Sequence, residues 1–168
     1  MAIYRRLYCH GGCYFFTVNL ANRHSQLLIQ HIELLKQSIR HVQQKHPFYI
    51  DAIVVLPEHL HCVWTLPTND MDYSTRWRLI KSYFSYHLPY LNDEVYSDSR
   101  VKKAERGIWQ RRFWEHLIRN EDDYRAHIDY VHINPVKHQL VNRVVDWPYS
   151  SFHKAVKQGI YDVNWAGL

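Results

Sequence analysis

Hydrophobic positions along this chain fall into two rhythms, a strand rhythm and a helical one. From Cys13 to Leu20, β-branched and aromatic residues crowd together between Gly11-Gly12 and Asn22, which predicts a buried strand. Between Ser25 and Lys45, Leu28, Ile32, Leu35, Ile39 and Val42 recur at steps of three and four, the spacing of a one-sided helix, and Pro47 stops it. Tyr49 to Leu56 returns to the strand pattern. Across the short Pro57-Glu58 connection, Leu60, Cys62, Trp64 and Leu66 alternate with His59, His61, Val63 and Thr65, so the two runs are expected to pair as a hairpin. Trp77, Ile80, Phe84 and Leu88 mark a second amphipathic helix from Thr75 to about Leu88.

Asn92 to Gly107 is polar, charged and without periodicity, and reads as a mobile excursion rather than a domain boundary. Ile108 to Ile118 resumes as a strand rich in tryptophan and arginine. Asn120 is a good N-cap, Glu121, Asp122 and Asp123 suit a first turn, and the helix they open is expected to end near Asn134 because Pro135 follows. A short helix from Ser150 to Lys157 lies in the extension after Trp147. The order strand, helix, strand, strand, helix, strand predicts an α+β, ferredoxin-like (RRM-like) antiparallel sheet with helices on one face and appended C-terminal helices. The 168 residues suit one domain, 1–168.

Composition narrows the function classes. With only five glycines, neither a phosphate-cradling loop nor a dinucleotide turn can be written, so nucleoside triphosphates are not expected as partners. The longest aliphatic run, Ala52 to Leu56, is far short of the ~20 residues of a membrane span. Arg5 and Arg6 ahead of Tyr14-Phe15-Phe16-Thr17-Val18 imitate a secretory leader, but His10, Gly11 and Gly12 interrupt it, and the segment reads as a first strand. Three cysteines, Cys9, Cys13 and Cys62, lack paired spacing, which fits a reducing cytoplasm better than a disulfide framework. Twenty-one Lys and Arg against sixteen acids give a formal +5, and aromatic residues make up 15%, so a polyanion with bases to stack upon is a plausible partner.

Two small constellations carry candidate chemistry. His59 and His61, two apart on a strand, project from one face and can converge on one ion, although in a chain with 13 histidines such a pair can also be structural. Tyr130 and Asn134 stand one helical turn apart, away from the apolar stripe of Tyr124, Ile128 and Val131. That spacing lets the amide oxygen of Asn134 meet a metal beside the phenol. Alternatively, Tyr130 packs at the rim and Asn134 only closes the helix. Asp123 reads first as a helix-dipole partner, His127 as a packed or surface histidine, and Glu58 as a turn residue or a transient ligand.

Three segments together resemble a known family. They are Val54-Val55-Leu56-Pro57-Glu58-His59-Leu60-His61-Cys62-Val63-Trp64, Trp109-Gln110-Arg111-Arg112-Phe113-Trp114-Glu115-His116, and Asp129-Tyr130-Val131-His132-Ile133-Asn134-Pro135-Val136-Lys137-His138. Tyr4-Arg5-Arg6, Phe15-Phe16-Thr17-Val18-Asn19-Leu20 and Asp146-Trp147-Pro148-Tyr149-Ser150-Ser151-Phe152 extend the likeness over nearly the whole chain. The chain is similar to the REP-associated tyrosine transposases, a branch of the single-tyrosine HUH transposases.

The resemblance implies a metal-dependent endonuclease and strand transferase for single-stranded DNA at hairpins of repetitive extragenic palindromes, serving DNA transposition and recombination. By it, Tyr130 is the nucleophile that forms a 5′-phosphotyrosine, His59, His61 and Asn134 are the metal ligands, and magnesium or manganese is the ion. It implies a monomer in the bacterial cytoplasm, at the nucleoid. Arg111, Arg112 and Lys137 are the candidate DNA contacts, with Arg5, Arg6, Arg76 and Arg78 weaker ones. The rival readings are a non-catalytic nucleic-acid-binding module of RRM type and a replication-initiator or relaxase nickase.

Overall fold

The computed structural model describes residues 5–92, 94 and 96–166, so Tyr4 of the matching N-terminal segment and Asp93 and Val95 of the excursion lie outside the described residues. Four antiparallel strands form one sheet in the order β2-β3-β1-β4. They are β1 (Cys13–Asn19), β2 (Tyr49–Val55), β3 (His59–Thr65) and β4 (Trp114–Leu117). Placing β1 and β3 side by side at the centre is the ferredoxin-like arrangement expected from the element order.

The alternation along β1 and β3 sends side chains to two different cores. Tyr14, Phe16 and Val18 with Leu60, Cys62 and Trp64 face α2 (Ile32–Lys45) and α3 (Tyr73–His87), whose Leu35, Ile39, Trp77, Ile80 and Phe84 complete the larger core. The opposite face presents Phe15, Ala52, Val54 and Val63. These pack against Val131 of α5 (Glu121–Lys137) and against Trp147, whose Nε1 donates to the Val55 carbonyl at 2.9 Å. The appended helix therefore covers the face that an RNA-binding sheet of RRM type leaves open.

Several boundaries depart from the sequence expectation. The first helix is split: α1 (Leu27–Gln30) and α2 are separated by His31, whose φ of −118° and ψ of 38° leave the helical region. The last strand is much shorter than Ile108 to Ile118. Trp114 pairs with Thr17 and Trp109 bridges Leu20, so three steps along β1 match five on its partner, and the chain between loops out as a bulge. Phe113, in that bulge, packs its ring against the larger core, edge-on to Phe16 at 5.9 Å and beneath the Arg6 guanidinium at 4.0 Å. Its aromatic character serves packing, not strand pairing.

The excursion carries an element of its own, a five-residue helix α4 (Asp98–Lys102) capped by Ser97. Arg106 clips the segment to the end of α3, donating to the carbonyls of Ser85 and Leu88 and pairing with Glu94. At the C-terminal end, a 3-10 turn (Val144–Asp146) precedes α6 (Phe152–Lys157). Among the described residues, no helix is long and apolar enough to cross a membrane, and the three cysteines are free thiols.

Arg76, a weak DNA-contact candidate by sequence, is 1% exposed. Its Nε donates to the His46 carbonyl at 3.1 Å, Nη1 to Asp70 and the Asp72 carbonyl, and Nη2 to Asp70 and the Pro47 carbonyl. The guanidinium thus sews the α2–β2 connection to the start of α3 and holds the Asp70 carboxyl down at about 2. Removing it leaves several acceptors without donors, so Arg76→Met is expected to destabilise the protein by about 3 kcal/mol. A urea titration checks this; an unchanged midpoint and slope would contradict the structural role.

Candidate active site

β3 and α5 bring the candidate residues together on the second face of the sheet. His59 and His61 are both buried, at 3% and 4% exposure, and their rings lie 4.9 Å apart at 83°. Imidazole lone pairs lie in the ring planes, so two nearly perpendicular rings can aim at a common point. Each ring is oriented from behind. The His59 Nδ1 meets the Glu58 carboxylate at 2.7 Å, and the His61 Nδ1 meets the hydroxyl of Thr17, its cross-strand partner on β1, at 2.8 Å. With Nδ1 occupied, Nε2 is the nitrogen left on each ring for a ligand, the arrangement typical of metal-binding histidines. Glu58, in the β2–β3 connection as expected, also serves as the carboxylate behind His59.

Burial pushes the His61 imidazole down to about 3, and the nearby His59, His138 and Lys137 act in the same direction. His59 is lowered as well, by burial against the opposing pull of Glu58. Both rings are therefore neutral at physiological pH, the form in which a histidine can ligate a metal.

The helix α5 opens as expected, with Asn120 Oδ1 accepting from the Asp123 amide at 2.8 Å. It does not stop at Pro135. The helix runs to Lys137, with the His138 amide donating to the Asn134 carbonyl at 2.9 Å. Pro135 deletes the donor that would face the Val131 carbonyl, while the Asn134 side chain adds one beside it, Nδ2 to the Tyr130 carbonyl at 2.7 Å. That bond also settles which way the amide points.

Asn134 is fully buried; its side chain lies close enough to His61 to oppose the lowering of that imidazole, yet its Oδ1 makes no bond of hydrogen-bond geometry. A buried acceptor without a donor is costly, on the order of 1–3 kcal/mol, unless something else meets it. The side chain lies near the His61 imidazole, whose Nδ1 is tied back to Thr17, and the His59 ring stands 4.9 Å from that of His61. A divalent cation is the group this donor set fits.

Continuing the helix past Pro135 adds a residue that sequence reasoning did not assign. His138, one turn beyond Asn134, has its ring 5.1 Å from that of His59. The ligand atoms of His59, His61 and His138 all lie within 4.8 Å of one another. The four-residue step from Asn134 to His138 was visible in the chain, but a helix assumed to end at Pro135 hides it.

Tyr130 is half-buried at the edge of this cluster, its ring 5.4 Å from His61 and 5.7 Å from Phe15. Lys137, two turns further along α5, holds its Nζ 3.5 Å from the phenolic oxygen. The other basic candidates are placed differently. Arg6 pairs with Glu115 at 2.9 Å, and Arg111 pairs with Glu105 at 2.9 Å and reaches Ser99. Arg5 and Arg112 are exposed.

A second cluster, His116 with Asp123 and His127, has a different character. His116 Nε2 meets the Asp123 carboxylate at 2.8 Å, and His127 Nδ1 is 2.8 Å from the Asp123 backbone carbonyl, which can only accept. That nitrogen therefore carries a proton and offers no lone pair. The two rings are stacked 4.5 Å apart at 16°, so their planes do not meet on one ion. Asp123 thus anchors two imidazoles as well as the first turn of α5.

No protein-family model matches the chain. Among proteins of known identity, it is 51% identical over 167 residues to a REP-associated tyrosine transposase of Escherichia coli (strain K12), covering 99% of this chain and 92% of the relative. A Haemophilus influenzae relative carrying the same family name is 44% identical over 167 residues, covering 99% of this chain and 94% of that one. A solved structure of a REP-associated tyrosine transposase bound to a REP hairpin superposes with a TM-score of 0.85 at 50% identity, covering all of this chain and 93% of that one. The fold and the sequence are those of an HUH-type tyrosine transposase. Within that class, the chain belongs to the REP-associated tyrosine transposases.

Proposed function

We propose that this transposase cuts and rejoins single-stranded DNA beside hairpins of REP type, using a bound divalent cation and a 5′-phosphotyrosine intermediate. The observation that carries the reading is the orphaned Asn134 oxygen. It is buried near His61, a histidine held from behind by Thr17, and lies one turn from a tyrosine on the same helix. The relative bound to a REP hairpin supports the same class of DNA partner for this chain.

His59, His61 and Asn134 hold the ion, with His138 closing the cluster from the end of α5. The cation, when bound, supplies Lewis-acid polarisation of the phosphodiester and offsets the charge that builds there. Imidazole-rich coordination with one amide oxygen accommodates manganese well, and magnesium is the other candidate. Tyr130 provides the attacking oxygen. Its bond to phosphorus replaces the bond to the 3′-oxygen, which leaves as a 3′-hydroxyl, and the phosphotyrosine conserves the energy needed to rejoin strands without a nucleotide cofactor. Tyr130 and the histidines meet within one chain, which supports action as a monomer. The cytoplasm, at the nucleoid, is where such a substrate is found.

The test is incubation with end-labelled hairpins from the source genome, with and without a single-stranded flank and with and without manganese, followed by denaturing gels. A metal-dependent covalent adduct with the flanked hairpin is expected, with perfect duplex competing poorly, because stacking and base-edge contacts need accessible bases. Cleavage that leaves no adduct would instead indicate attack by water, and equal competition by duplex would remove the single-strand requirement.

A further inference from the structure

We propose that Lys137 is a catalytic residue, whose ammonium stabilises the negative charge on the Tyr130 oxygen both as the phenol attacks and as it leaves. The inference rests on Tyr130 being the nucleophile. Lys137 stands seven residues after Tyr130, so both lie on one side of α5, and the side chain reaches back because the helix continues through Pro135. Its Nζ is 3.5 Å from the phenolic oxygen and 4.6 Å from the ring centroid. Several other cations are tied to acids or backbone carbonyls: Arg6 to Glu115, Arg106 to Glu94, Arg111 to Glu105, and Lys81 to the Gln110 carbonyl. The hydrogen-bond partner of Lys137 is the reacting oxygen itself.

A lysine is a cation at neutral pH, so it acts here as a fixed charge and not as a proton acceptor. In the forward step, the Oη–P bond forms and the P–O3′ bond breaks, the phenolic proton passes to solvent, and solvent protonates the departing 3′-oxygen. In rejoining, a 3′-hydroxyl attacks, the Oη–P bond breaks, and the phenolate departs beside the same ammonium. A positive charge placed at the oxygen where charge appears favours both directions equally. This suits a nucleophile that must also be a good leaving group.

Single-turnover cleavage and rejoining by K137M, K137R and Y130F, at saturating flanked hairpin with manganese and alongside hairpin affinity, separate the possibilities. For K137M, both rates at saturation are expected to fall about tenfold, the lower range for loss of one charge-stabilising donor at a partly solvated site. Affinity is expected to stay within about twofold, and K137R, which keeps the charge, to recover most of the rate. If K137M weakens affinity and leaves the saturating rates unchanged, or if K137R is as slow as K137M, the proposal is overturned and the lysine is a phosphate contact or a spacer. An adduct formed by Y130F would instead overturn the nucleophile assignment, whatever the lysine variants do.

Discussion

Replacing Tyr130 by phenylalanine is expected to abolish the covalent protein–DNA adduct and to lower cleavage on the order of 10^4-fold, the scale on which deletion of a nucleophile acts. The ring itself remains, still edge-on to Phe15 and beside His61, so the fold and the hairpin affinity are expected to change by no more than about twofold. This separation of binding from chemistry is the diagnostic result. Labelled hairpin on a denaturing gel reads the adduct, and peptide mapping of the wild-type adduct locates it. Cleavage by Tyr130→Phe at the wild-type rate, or an adduct mapped to another of the 13 tyrosines, would move the nucleophile elsewhere.

The second large effect concerns the ion. Exchanging His59 and His61 together for alanine removes both buried imidazoles, and manganese affinity is expected to fall by about 100-fold or more, with cleavage lost in parallel and hairpin affinity little changed. His138→Ala should cost less, about tenfold, because that ring is exposed and its ligand position open to water. Thr17→Val is the subtler member of the series. It removes the partner of the His61 Nδ1 without touching a ligand, and a loss of about tenfold is expected from misorientation alone. Calorimetry with manganese measures each step, and equal affinity of the wild type and the double histidine variant would remove the metal centre from this location.

Much of this site was legible in the chain because its parts rest on local periodicities. His59 and His61 share a face on account of the two-residue period of a strand, and Tyr130 and Asn134 share a side on account of the helical turn; neither requires knowledge of the fold. What the sequence hid depended on contacts made elsewhere. Pro135 reads as a stop because the missing N–H is visible in the sequence, whereas the Asn134 amide donating to the Tyr130 carbonyl is not, and with that bond went sight of His138 and of the reach of Lys137. The last strand was overextended because Trp109 and Phe113 look alike as β-formers, yet one bridges β1 and the other fills the core from a bulge. Arg76 looked like a surface cation because nothing local announces the carbonyls of His46 and Pro47 that bury it.

The bond from the Asn134 amide to the Tyr130 carbonyl has a mechanical consequence. It fixes the orientation of the proposed metal ligand to the backbone of the proposed nucleophile, within a helix that also carries Lys137 and is capped by His138. These four residues form one rigid jaw, and the histidine strand forms the other. If α5 swings from the sheet, it takes away the attacking oxygen and opens the ion's coordination in the same movement, so the enzyme cannot release one and keep the other. On the proposed assignment, cation occupancy and nucleophile placement would become a single variable, and an ion held between the jaws would keep the tyrosine in place.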